Sequence, residues 1–281
     1  MWAMIGGSGF ENFSDFEIIE ELNRETPYGL ASSGFKKVKL GGQELLFLSR
    51  HGAHHELLPS EVNYRANIWA LKNYGASRIL SISAVGSLKK EFKPGDMVLV
   101  DQYIDRTKSI RAHSYCGEGV VGHVSLAKPT NKTVQEAIYS LRDKMNFDIH
   151  LGGTYICIEG PTFSTQAESL SYVQRGANII GMTNFPEYAL AREAGIWYVP
   201  MSFVTDYDCW DDSIPHVTLE QVIDTMRKNN QKAFDIAKAT LESFPDLGKE
   251  GCSDQGLKTG LMTPADAIPS KWKEAVEVLQ K

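Results

Sequence analysis

Asp206 and Asp208 stand one residue apart in the hexapeptide Thr205-Asp206-Tyr207-Asp208-Cys209-Trp210, directly after an apolar run over residues 196–204. The run reads as a buried strand, and residues two apart on an extended segment point the same way. Both carboxylates are therefore expected to project together from a strand end. Like charges on one face repel, so at least one acid should hold its proton above the ordinary aspartate range. Such a pair can grip and protonate a nitrogen heterocycle. Taken alone, the pair is explained equally well by a polar turn that exposes both acids and caps a following helix.

Other segments offer donors to an anion. Ile5-Gly6-Gly7-Ser8-Gly9-Phe10 is a glycine-rich turn whose backbone N–H groups can approach a ligand closely, with the Ser8 hydroxyl beside them. It is not a dinucleotide fingerprint, because Asn12 stands where the last glycine belongs, and a Walker lysine is missing. Phe10 likewise breaks a G-x-S-x-G elbow. By itself the loop reads most simply as a tight turn. The pair Arg50-His51 brings a guanidinium fork and an imidazole to a strand end. His51, His54 and His55 could be read as zinc ligands. No glutamate completes an H-E-x-x-H frame, however, and Gly52 interrupts a helix, so no metal is expected. His54 and His55 read as surface or core-satisfied side chains. Ser83, with Ala84 after it, and Thr183 close two further strand ends. Four strand ends thus carry anion donors, which suggests one phosphate pocket at the carboxyl edge of a sheet.

The chain around these residues has 281 residues, is 42% hydrophobic and 23% charged, and carries a net charge of −6. That balance fits an ordinary globular protein and argues against a nucleic-acid partner. No apolar stretch approaches the roughly 20 residues that cross a bilayer, and no signal peptide is visible. The cysteines at 116, 157, 209 and 252 form no C-x-x-C, so reduced thiols and a cytoplasmic location are expected. Strand-like runs alternate with helix-like ones, the α/β signature. A helix should follow Ser60 as N-cap, with Val62, Ala66, Trp69 and Ala70 on one face and Gly75 past its end. Strands are predicted over 78–83, 97–100, 154–158, 178–180 and 196–204. Helices are predicted over 131–145, 186–194, 219–244 and 270–280. The expected organisation is one core domain over 1–245 with a C-terminal extension, 246–281, packed on it.

Taken together, these blocks resemble the 5′-methylthioadenosine phosphorylases of the trimeric purine nucleoside phosphorylase superfamily. The matching segments are 5–9, 49–52, 59–72, 83–88, 94–107, 158–169, 176–195 and 205–210. The resemblance implies a three-layer α/β/α fold with a central mixed β-sheet. It implies phosphorolysis of 5′-methylthioadenosine to adenine and 5-methylthioribose 1-phosphate, with inorganic phosphate as co-substrate and no cofactor. Phosphate would be held by Ser8, Arg50, His51, Ser83, the Ala84 backbone and Thr183. Met182 would lie along the ribose, and Phe163 would stack on the base with Ser164 and Ile180 nearby. Asp206 would be the acid at purine N7, and Asp208 would accept from the 6-amino group. Relatives acting on 6-oxopurines tend to carry asparagine at the first position and lack the second acid, so adenine is favoured. Val217, Leu219, Val222 and Ile223 would line the 5′ end of the sugar. His123 would reach the 5′ pocket of a neighbouring subunit in a homotrimer.

Thr162 and Gln166 depart from the pattern, since many members have arginine or lysine there, and Leu261 matches the closing segment only loosely. The alternative within the family is a broader purine nucleoside phosphorylase, acting on adenosine or on 6-oxopurine methylthionucleosides. A hydrolytic nucleosidase of the same superfamily would not need the Arg50-His51 phosphate grip, and outside the superfamily stand a zinc hydrolase and a non-catalytic nucleoside-binding protein.

Overall fold

A computed structural model describes residues 1–7, 9, 16–213, 219–249 and 256–281. Its first strands are β1 (Trp2–Gly6), β2 (Glu17–Leu22), the short pair β3 (Glu25–Thr26) and β4 (Gly29–Leu30), β5 (Phe35–Leu40) and β6 (Gln43–Ser49). Helix α1 (Tyr64–Asn73) leads to β7 (Arg78–Ser87), β8 (Met97–Leu99) and β9 (Gln102–Arg106). Helix α2 (Lys132–Tyr139) precedes β10 (Ile149–Leu151) and β11 (Thr154–Ile158). Next come α3 (Gln166–Gln174), β12 (Ile179–Gly181), α4 (Asn184–Glu193), β13 (Trp197–Asp206) and α5 (Leu219–Ser243). The chain closes with α6 (Leu257–Gly260) and α7 (Lys273–Gln280).

Eleven strands form one mixed sheet in the order β10-β8-β13-β7-β1-β6-β5-β2, with β12 on the far end of β7 and β11 between β12 and β9. β13, β7, β1 and β6 run parallel. Their carboxyl ends therefore open on one side, where ligands bind in such sheets. Both faces of the sheet are covered. Ala3 and Ile5 of β1 join α1, α4 and α7 in one core, whereas Trp2 and Met4 join α2 and α5 in the other. This is the period-two alternation of a strand buried on both sides.

Two local expectations change. Ser60 does not cap α1. The Asn63 side chain accepts from Ala66 N, and its amide nitrogen donates to the Tyr28 carbonyl at 2.8 Å. Asn63 thus ties the helix start to the β3–β4 turn, which a local reading could not register. The helix expected over 131–145 is α2 followed by a separate 3₁₀ turn, Arg142–Lys144. Past residue 256, Ala275 and Leu279 of α7 enter the α1 core, and Trp69 Nε1 donates to the Ala275 carbonyl at 3.0 Å.

Cys116, Cys157 and Cys209 are unbridged. No helix among the described residues is long and apolar enough to cross a membrane. Among them, no group of three or more His, Cys, Asp and Glu side chains could hold a metal ion.

Candidate active site

One cavity of about 380 Å³ lies at the carboxyl ends of the parallel strands. Gly7 reaches it from β1, Arg50 and His51 from β6, Ser83 to Gly86 from β7, and Thr205, Asp206 and Asp208 from β13. Ile158, Phe163 and Ser164 come from the exit of β11, Ile180, Met182 and Thr183 from β12, and Val222 from α5. Most residues singled out in the sequence therefore meet in a single pocket. Ser8, Val217 and the Leu219 side chain lie outside the described residues.

Arg50 is fully buried, and its fork is largely committed to the protein. Nε and Nη2 donate to Glu187 Oε2 and Oε1 at 2.6 and 2.8 Å. Nη2 also donates to Ser81 Oγ at 2.7 Å, and Nη1 to the Ile82 carbonyl at 2.9 Å. A guanidinium has five N–H groups, so among the described residues one Nη1 hydrogen remains for a ligand. Glu187 accepts two further hydroxyls, from Ser81 at 2.6 Å and Tyr198 at 2.8 Å. A buried pair with this many bonds is well compensated, whereas either charge alone would be strongly unfavourable. The wide guanidinium grip suggested by the sequence is thus a single N–H, aimed by a buried carboxylate. Gly7 permits the approach, since a Cβ there would lie 2.7 Å from the Ile82 carbonyl oxygen and 3.2 Å from Arg50 Nη1.

His51 is also buried. Desolvation first, and then the Arg50 charge, pushes its imidazole down to about 4. At neutral pH it is uncharged, and Nδ1 lies 2.9 Å from the Leu57 carbonyl, a partner that can only accept. Nδ1 therefore carries the hydrogen and Nε2 is an acceptor. Ser83 Oγ, 3.3 Å from Ser202 Oγ, accepts from Asn184 Nδ2 at 3.5 Å. Thr183 precedes α4 without capping it.

The acid pair reaches the pocket differently from the simple alternation expected. A register shift between Val204 and Asp206 against β7 marks a bulge at Thr205, which re-aims the end of the strand. Asp208 then adopts a left-handed backbone, φ 50°. Its N–H donates to Asp206 Oδ1 at 2.8 Å, and Ser169 Oγ donates to Asp208 Oδ2 at 2.5 Å. Thr205 Oγ1 lies 2.7 Å from Asp206 Oδ2 and 3.1 Å from the Val85 carbonyl. Burial raises the Asp208 carboxyl above the ordinary aspartate value, and Asp206 adds to the rise while the Ser169 bond opposes it.

Phe163 sits at the mouth, 78% exposed. Arg111 ties the exit of β11, which leads into the loop that carries Phe163, to the segment after β12. That guanidinium donates to Glu159 Oε1 at 2.6 Å and to the Met182 and Phe185 carbonyls at 2.7 and 2.6 Å. Gln166 donates from Nε2 to Asp212 Oδ1 at 2.5 Å, a link between α3 and the turn after β13.

Glu56, Leu57, Leu58, Pro59 and Met226 line the cavity without having been singled out in the sequence, and His55 lines it too. Met226 was accessible in principle, being four residues after Val222 on one helix face. His55, read as surface or core, stacks on His51 with ring centroids 4.7 Å apart. Conversely, Ile223 is 41% exposed and is not part of the lining. Neither His123, whose N–H donates to the Gly260 carbonyl, nor Leu261, bridged to Gly122, lines this pocket.

Comparison with known proteins gives the same outline. A family model described as the phosphorylase superfamily matches residues 3–242. The S-methyl-5′-thioadenosine phosphorylase of Geobacter sulfurreducens is 41% identical over 277 residues, which covers 99% of this chain and 96% of its own. That of Thermococcus kodakarensis is 45% identical over 92% of this chain and 97% of its own. The crystal structure of a methylthioadenosine phosphorylase from an antarctic soil metagenomic library superposes with a TM-score of 0.88. It shares 40% identity and covers 99% of this chain and 98% of its own. A mutant adenosine/methylthioadenosine phosphorylase from Schistosoma mansoni, in complex with methylthioadenosine, aligns at TM-score 0.81 and 28% identity, over 99% of this chain and 95% of its own.

Proposed function

The chain belongs to the phosphorylase superfamily, and on that premise we propose that it cleaves 5′-methylthioadenosine with inorganic phosphate, releasing adenine and 5-methylthioribose 1-phosphate. One observation carries the reading: Arg50, His51, Ser83 and Thr183 open with the acid pair into a single cavity in a chain about 40% identical to methylthioadenosine phosphorylases over nearly its whole length.

Phosphate attacks the anomeric carbon while the glycosidic bond breaks, and the sugar passes through an oxocarbenium-like state. Positive charge on the sugar and negative charge on the base must both be stabilised. The roles proposed for Arg50, His51, Ser83, the Ala84 backbone, Thr183 and Ser8 are to hold phosphate beneath the sugar. Arg50 is already neutralised by Glu187 and His51 is uncharged, so a bound phosphate keeps most of its negative charge to face the developing cation. His51 Nε2, as an acceptor, suits the P–OH of hydrogen phosphate. Asp206 is read as the group that protonates or hydrogen-bonds N7 of the departing base. Asp208 is read as the acceptor for the 6-amino group, with Phe163, Ser164 and Ile180 around the ring and Met182 along the ribose. A 6-oxo group would set acceptor against acceptor, which disfavours hypoxanthine.

Val222, with Met226, Leu57, Leu58 and Pro59, gives an apolar side to the cavity, which supports methylthio over hydroxyl at the 5′ position. Leu219 and Ile223 are proposed to extend that side when the 5′ end is occupied. His123 lies outside its own pocket, beside the exposed apolar side chains of Val121 and Met262, 50% and 66% accessible. That supports a homotrimer in which the 5′ pocket is completed by His123 of a neighbouring copy. A cytoplasmic location and a single domain with its C-terminal extension packed on it complete the reading. The test is base release from methylthioadenosine, adenosine and inosine with and without phosphate. Release that needs no phosphate would overturn phosphorolysis, and equal rates on methylthioadenosine and inosine would favour the broader activity.

A further inference from the structure

Ser169 lies on α3, the helix that follows the base-side loop, and it is 0% exposed. A serine in a helix interior commonly turns its hydroxyl back to the carbonyl one turn earlier. Here the backbone keeps that bond, Ser169 N–H to Thr165 O at 3.0 Å, while the hydroxyl donates across to Asp208 Oδ2 at 2.5 Å. Three residues earlier, Gln166 makes the second link from the same helix, to Asp212 Oδ1. Residues three apart share a helix face, so α3 holds the turn after β13 at two points. The start of α3 is itself fixed by a reciprocal cap between Thr165 and Glu168. Asp208 needs such a hold, because a non-glycine residue at φ 50° is not locally preferred.

The two oxygens of Asp208 are thereby made unequal. Oδ2 receives the Ser169 hydrogen, and no side chain among the described residues occupies Oδ1. A carboxylate that is free to turn or to take up a proton could donate to a 6-oxo group as readily as accept from a 6-amino group. One held by a buried donor stays an acceptor. We propose that Ser169 is the positioning residue for base selection: it fixes the orientation of Asp208 and keeps it an acceptor for the 6-amino group. The proposal rests on the reading of Asp208 given above. The titratable groups facing this site are Asp206 on β13, Cys209 beside Asp208, and Tyr172 and Glu168 on α3.

The experiment compares Ser169→Ala with the native enzyme on methylthioadenosine, methylthioinosine and the methylthio nucleoside of unsubstituted purine, across pH. Loss of a hydrogen bond to a charged group should cut the preference for the 6-amino over the 6-oxo substrate by roughly tenfold to a hundredfold. The acid limb of kcat/KM for methylthioadenosine should move to higher pH, because the variant no longer favours the ionised carboxyl. The unsubstituted purine nucleoside should show neither change. A uniform loss on all three substrates, or no loss, would overturn the proposal. Ser169→Cys, similar in size and a weaker donor, should show the same pattern to a smaller degree and serves if the alanine variant folds poorly. Asp208→Asn separates the two layers. If it leaves the base preference unchanged, the reading of Asp208 fails; if it shifts the preference and Ser169→Ala does not, only the role of Ser169 fails.

Discussion

Single side chains at this site are defined by what already holds them. Asp206, with one oxygen near the Thr205 hydroxyl and the other taking the Asp208 amide, is the group whose loss should weigh most on turnover. Asp206→Asn is expected to lower kcat on methylthioadenosine by roughly a hundredfold or more, with a smaller change in KM, measured by steady-state release of adenine. His51 makes a prediction about stability. Its folded value of about 4 lies below the ordinary 6.5, so between those pH values the unfolded chain takes up a proton that the folded chain refuses. The stability concerned is fully present above about pH 6.5 and is lost as pH falls toward 4, by roughly 3 kcal/mol. Urea unfolding of native enzyme and His51→Gln at pH 7 and pH 4 should show the variant losing correspondingly less. The types of residue needed at the site were legible in the sequence because each carries its chemistry in its side chain. Their partners were not. Nothing local to Arg50 announces Glu187, which is 137 positions away, and that partner turns a broad cationic fork into one directed N–H.

At the scale of elements, the strand end was readable at Thr183, just past β12, whereas β7 does not stop at Ser83 as its sequence suggests but runs on to Ser87, because Ala84 and Val85 still pair with β13. What escaped was the irregularity at β13. Alternation would have carried Asp206 and Asp208 together on one face, whereas the bulge at Thr205 and the left-handed turn at Asp208 do so by bending the chain. Bulges depend on the partner strand, here β7, and no local pattern encodes that partner. The end of β1 offers a direct test. Gly7→Ala would press a methyl against the Ile82 carbonyl and the Arg50 guanidinium, and overpacking of that kind typically costs about 1–3 kcal/mol. The expected outcome is a raised KM for phosphate, with the KM for nucleoside changed less, in initial-rate measurements varying each substrate in turn.

On the scale of the whole molecule, the C-terminal residues are part of the core that supports α1. Leu279 is 1% exposed and belongs to the same cluster as Trp69. Leu279→Ala should destabilise the fold by about 2–5 kcal/mol, seen as a lower melting temperature with the kinetic constants little changed below it. That α7 packs on α1 was not evident from its sequence, since an amphipathic helix states that it must be covered and not by what. The assembly has its own test: sedimentation should give a trimer mass, and a monomer with full activity would remove His123 from the 5′ pocket. Arg111 bears on how substrate enters. One guanidinium holds the Glu159 carboxylate and the Met182 and Phe185 carbonyls, so the loop after β11 and the loop after β12 are bolted to a common pin. Neither can swing out alone without leaving a buried cation short of partners. The expected outcome is that the two loops open together, and amide hydrogen exchange should record them with a single protection energy.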